Sequence, residues 1–86
     1  MHTVELLEQM LAVAGRLGYR TRMEWLGGIG GGACELRGQK WLFVDLALTT
    51  GEQLDQVATT LQDDPAIHIT PLPPAVREAL GLRRAA

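Results

Sequence analysis

Cys34, His68 and Asp45 are the residues of this sequence whose side chains could do nucleophilic chemistry together. A thiol is activated when an imidazole takes its proton and a carboxylate orients the imidazole. Their settings argue for another role. Cys34 stands on an alternating segment with Leu36 and Phe43 on the same side, where a small buried thiol is the ordinary outcome. His68 lies between Ile67 and Ile69, the setting of a half-buried structural imidazole. The three lack the close spacing of a metal-ligand motif. The expectation is that Cys34, His68 and Asp45 are structural, with no catalytic, cofactor-binding or metal-binding residue assigned. They remain the reactive candidates.

A second candidate is the glycine cluster Gly27, Gly28, Gly30, Gly31 and Gly32. The run GIGGGA, residues 28 to 33, fits the form G-x-G-x-x-A of a dinucleotide fingerprint. That chemistry needs a strand before the glycines and a helix after them, because the helix N-terminus holds the pyrophosphate. Here a strand follows, and no lysine paired with serine or threonine completes a phosphate loop. The glycines are therefore expected to form a connection, with positive φ angles or close backbone approach.

The elements that must position these residues follow from periodicity. Residues 3 to 17 read as a helix with Val4, Leu6, Leu7, Met10, Leu11, Val13, Ala14 and Leu17 in one half of the wheel, Thr3 as N-cap and Gly18 as stop. YRTRMEWL then alternates, with Tyr19, Thr21, Met23 and Trp25 on one side and Arg20, Arg22 and Glu24 on the other. GACELR and KWLFVDLAL are strands joined at Arg37-Gly38 or Gly38-Gln39. Ala33, Glu35, Lys40, Leu42, Val44 and Leu46 share one face; Cys34, Leu36, Trp41 and Phe43 share the other, with Asp45 at its end. A second helix spans TTGEQLDQVATTLQDDP, opened by Thr49 and Glu52 or Thr50 and Gln53 at capping-box spacing. Its stripe Leu54, Val57, Ala58 and Leu61 is expected to face the sheet, with Gln53, Gln56 and Thr60 toward solvent. AIHIT reads as a short extended segment, and Ala75 to Leu80 as a brief helix.

Both faces of the hairpin carry apolar residues, so both need cover. Leu36, Trp41 and Phe43 are the candidate interface, to be covered by a second subunit or a protein partner. The competing outcome is that the C-terminal segment, with Leu72, Val76 and Leu80, folds across them.

Composition narrows the rest. The chain has 86 residues, read as one α+β domain over 1–86, and 47% of them are hydrophobic, which argues against disorder. The net charge is −2, and Arg83 and Arg84 are too small a basic cluster for a nucleic-acid or anionic-membrane footprint. A single cysteine excludes an intrachain disulfide and a four-thiolate zinc site. The start is not that of a signal peptide, and no run of eighteen apolar residues occurs, so a soluble cytoplasmic protein is expected.

The order of helix, strand, glycine turn and ACELRGQKWLFVDLALTTGEQLDQVATTL resembles short uncharacterised bacterial proteins with a glycine-glycine-x-cysteine hairpin and an LFVDL strand. Residues 17 to 63 also resemble the front half of ImmA/IrrE-type zinc metallopeptidases. In that family the helix carries A-H-E-x-x-H, two histidines for zinc and a glutamate for water. Laid on this chain the motif falls at Ala58-Thr59-Thr60-Leu61-Gln62-Asp63, where the ligands are replaced by Thr59 and Asp63 and the glutamate by Thr60. What the resemblance implies is a scaffold without that active site.

The expected architecture is α+β: a small, mainly antiparallel sheet of three to four strands, two long helices and a short C-terminal helix. The expected function is a small non-catalytic domain acting through protein association, with no cofactor, no nucleic acid and no membrane, and a homodimer as its simplest form. The alternative is a small enzyme or ligand-binding protein using the pocket beside the glycine turn and Cys34.

Overall fold

The computed structural model describes residues 2–82; Arg83 and Arg84 of the basic tail lie outside them. Helix α1 (Thr3–Arg16) leads into β1 (Tyr19–Glu24), β2 (Gly32–Leu36), β3 (Gln39–Asp45), α2 (Thr50–Asp63), a 3₁₀ turn (Pro65–Ile69) and α3 (Pro74–Ala79). No helix among these residues is long and apolar enough to cross a membrane.

The sheet is mixed rather than mainly antiparallel. Its order is β1-β3-β2, with β3 antiparallel to β2 and parallel to β1. The glycine connection carries the chain from β1 past the future place of β3, and the hairpin then returns β3 into the gap. Arg37 (φ 53°) and Gly38 (φ 78°) form the two-residue turn, both left-handed as a tight hairpin of this twist requires.

No fourth strand forms at AIHIT. Pro65 cannot donate to a ladder, and the Asp64 side chain caps the segment as a 3₁₀ turn by accepting from the Ala66 amide at 3.0 Å. Ile67 is buried there while His68 and Ile69 face outward.

Leu42 and Val44 of β3 pack against Leu7, Met10, Val13 and Ala14 of α1, Val57 and Leu61 of α2, and Ile67, Val76 and Leu80. Full burial of each large aliphatic side chain stabilises the fold by about 1.5–3 kcal/mol. Val76 and Leu80 join this cluster on the helical side, so α3 does not lie across Trp41 and Phe43. The C-terminal cover expected as the competing outcome is thereby replaced by an open sheet face.

One helix end differs from the sequence reading and the other matches it. His2, not Thr3, occupies the N-cap of α1 and supplies no side-chain cap. At α2 the Thr49–Glu52 box forms, which frees Gln53 to turn inward. Gln53 is buried, and its amide donates to the carbonyls of Asp45 (3.1 Å) and Leu48 (3.2 Å). Thr60 is also buried, its hydroxyl donating to the Gln56 carbonyl at 3.3 Å. The solvent-facing positions expected for Gln53 and Thr60 are thus corrected: a helix packed on a sheet buries a wider arc than its aliphatic stripe.

A polar cluster ties the strands to the end of α2. Asp64 accepts from Lys40 Nζ at 2.8 Å and from the Tyr19 hydroxyl at 2.9 Å. Lys40 holds the Asp64 carboxyl below the usual carboxylate range, against the opposing effect of burial. Burial, and then the hydrogen bond and charge of Asp64, push the Tyr19 phenol up to about 12.

Candidate functional site

The glycine loop does hold an anion, and the anion is the protein's own. Asp45 ends β3 with no solvent exposure. Its Oδ1 accepts from the amides of Leu26 and Ala47, and its Oδ2 from those of Gly28 and Gly30, all at 2.9 Å. Burial pushes the carboxyl up, but the amides of Ala47, Leu26, Gly30 and Gly28 together outweigh it and hold the group below its ordinary range. A loop that would present its donors to a phosphate has them directed inward.

The sequence permits this for two reasons. Gly28 (φ 85°) and Gly30 (φ 87°) take left-handed conformations, which reverse the chain between successive donors. Gly31 is needed for space: a Cβ placed on it would run into the Phe43 carbonyl. The candidate carboxylate Asp45 is therefore an organiser of the connection.

The other two reactive candidates lie elsewhere and are not buried. Cys34 is exposed on the edge strand β2, registered opposite Trp41. The buried setting expected for it is corrected: its neighbours Leu36 and Phe43 belong to a face that none of the described helices covers. His68 is exposed on the 3₁₀ turn, since Asp64 and Pro65 set that turn so that Ile67 alone points inward. Among the described residues no group of three histidine, cysteine, aspartate or glutamate side chains could hold a metal. On α2, the Thr59 hydroxyl donates to the Asp55 carbonyl at 3.0 Å and the Thr60 hydroxyl to the Gln56 carbonyl, so two of the three positions aligned with a zinc motif bond their own helix.

The open face of the sheet gathers the candidate interface. Register places Arg20 and Arg22 of β1 beside Trp41 and Phe43 of β3, with Cys34 and Gly32 of β2 on the far side. Trp41 and Phe43 stack with centroids 6.2 Å apart, and the Arg20 guanidinium lies 5.9 Å from the Trp41 ring centre. Arg22 pairs with Glu24 at 2.6 Å. Leu36 is 62% exposed at the end of β2. A shallow, mainly apolar cleft of about 350 Å³ lies beside Gly32, Cys34 and Phe43. Alternation puts Arg20 and Arg22 on one side of β1, but their meeting with the aromatic residues depends on the parallel register.

No protein-family model matches this chain, and comparison with characterised proteins and with solved structures gives no match either.

Proposed function

We propose that this protein is a small non-catalytic domain that works by protein association, with the open sheet face as its contact surface. The observation that carries the reading is the one-sided cover of β3: Leu42 and Val44 are fully buried beneath the helices, while stacked Trp41 and Phe43 stay only half-buried and Leu36 is exposed. Aromatic side chains beside arginine form the usual anchors of protein contacts, with large area and little entropy to lose on binding. Self-association is its simplest form, because a two-fold axis lets the same surface, with its β2 edge, serve both partners.

The alternative, a ligand site at the glycine turn, is weakened by the internal use of the loop amides on Asp45. Sedimentation equilibrium tests the association reading. The native protein is expected to associate, and the double variant Leu36→Glu/Trp41→Glu to remain monomeric with an unchanged circular dichroism spectrum. A double variant that associates as tightly as the native protein would remove the face from the account.

A further inference from the structure

The edge strand β2 bounds this open face, and its hydrogen-bond pattern sets how a second copy can extend the sheet. The two-residue turn makes Leu36 and Gln39 the closing hydrogen-bonded pair, and in an antiparallel ladder such pairs alternate. Cys34 and Gly32 therefore direct their backbone groups toward β3, whereas Ala33 and Glu35 direct theirs to the free edge. That edge is lightly guarded: Gly32-Ala33-Cys34-Glu35-Leu36 is short and α2 packs against one side of it, but it contains no lysine, no proline and a single charge, and Ala33 to Leu36 are exposed.

Building on the association reading, we infer that a second copy of this chain pairs with the protein edge to edge through β2, antiparallel, with Cys34 opposite Cys34 of the other copy. This register sets Ala33 against Glu35 and Glu35 against Ala33, so the outward amides and carbonyls of both strands satisfy one another. It also sets Leu36 of each copy opposite Gly32 of the other. A Cβ on Gly32 would meet nothing within 4 Å, so the space above it is open. The apolar cleft beside Gly32 and Phe43 receives that leucine, which is otherwise 62% exposed.

Neighbouring registers are poorer. Sliding by two residues one way places Glu35 directly against its twin, a like-charge pair. Sliding the other way carries Leu36 beyond β2, opposite Gly30, and leaves the cleft empty. The result is a continuous six-stranded sheet with both aromatic pairs on one side.

The lone cysteine reports the register. Cys34 would sit at a non-hydrogen-bonded pair, where Cα atoms approach to about 4.5 Å, within disulfide reach. Native protein is first sized by sedimentation, then oxidised with diamide and run on a non-reducing gel. The expected result is near-complete Cys34-linked dimer, with Leu36→Glu, or Leu36→Ala should the first variant misfold, sedimenting as monomer and giving only the slow linking of random collisions. A native dimer whose Cys34 links no faster than in the Leu36 variant overturns the β2 register and leaves the association reading standing. Efficient linking of Met23→Cys in a Cys34→Ser background, together with native Cys34 linking no faster than in the Leu36 variant, assigns the contact to β1 and also overturns it. A native protein that stays monomeric overturns both this inference and self-association.

Discussion

Asp45 and Trp41 lie on one strand, and the protein treats their surroundings in opposite ways. Around Asp45 the chain closes on itself: an irregular loop, which by composition is the freest segment of the molecule, spends its amides on a buried carboxylate. Around Trp41 the most regular element of the fold leaves an aromatic surface half-covered. Polar groups make directional demands that must be met inside a domain, since an unmet buried donor costs about 1–3 kcal/mol. Apolar surface is different, because a second molecule can cover it as well as a helix can. On the proposed reading the glycine-rich end is structural, and the aliphatic–aromatic face is the part free to act.

Changes at the two regions should separate stability from association. The largest effect is expected at Gly31. Gly31→Ala forces the backbone away from the Phe43 carbonyl, lowering stability by about 3 kcal/mol or preventing folding, at the upper end of overpacking costs. Trp41→Glu, on the open face, should shift the urea midpoint of the monomer by an equivalent of only about 1 kcal/mol or less. A Gly31→Ala protein with native stability would mean that the loop does not pack on β3 as described.

Acid should expose the closed region next. The Asp45 and Asp64 carboxyls are both held below their ordinary values, so each contributes stability that is fully present above the unfolded carboxylate pKa, near 3.9. That contribution is lost as pH falls through the folded values. Urea midpoints measured from about pH 6 downward should therefore drop below about pH 4, and the drop should shrink in Asp45→Asn. An identical acid limb in native protein and Asp45→Asn would contradict the assigned hydrogen bonds.

A smaller effect is expected at Cys34. Because the thiol is exposed, it should react with an exposed-thiol reagent in the folded, dilute protein. Cys34→Ser should change stability by no more than about 0.5 kcal/mol, the ordinary range of surface substitutions. Modification that waits for unfolding would place the thiol back in a core.

These contrasts mark what the sequence could and could not convey. The hairpin was legible because Arg37-Gly38 interrupts two alternating runs, and the face parity of Leu42 and Val44 against Trp41 and Phe43 follows from that turn. The Thr49–Glu52 box was legible for the same local reason. The parallel pairing of β1 was not, since alternation is the same whichever way a neighbour runs. The role of Asp45 was hidden because its partners are backbone amides, which carry no residue identity. Its place after an apolar strand, downstream of a glycine-rich loop, was the available signal. Gln53 and Thr60 looked solvent-facing because their burial depends on where α2 crosses the sheet, which no local pattern records.

The central claim is that the open face, and not the glycine loop, is where this protein acts, by meeting a copy of itself. Sedimentation velocity over a dilution series reaching high micromolar concentration tests it most directly. The account predicts a reversible, concentration-dependent shift from a species of the 9.4 kDa chain mass to one of twice that mass. A single 9.4 kDa species at every concentration would contradict it.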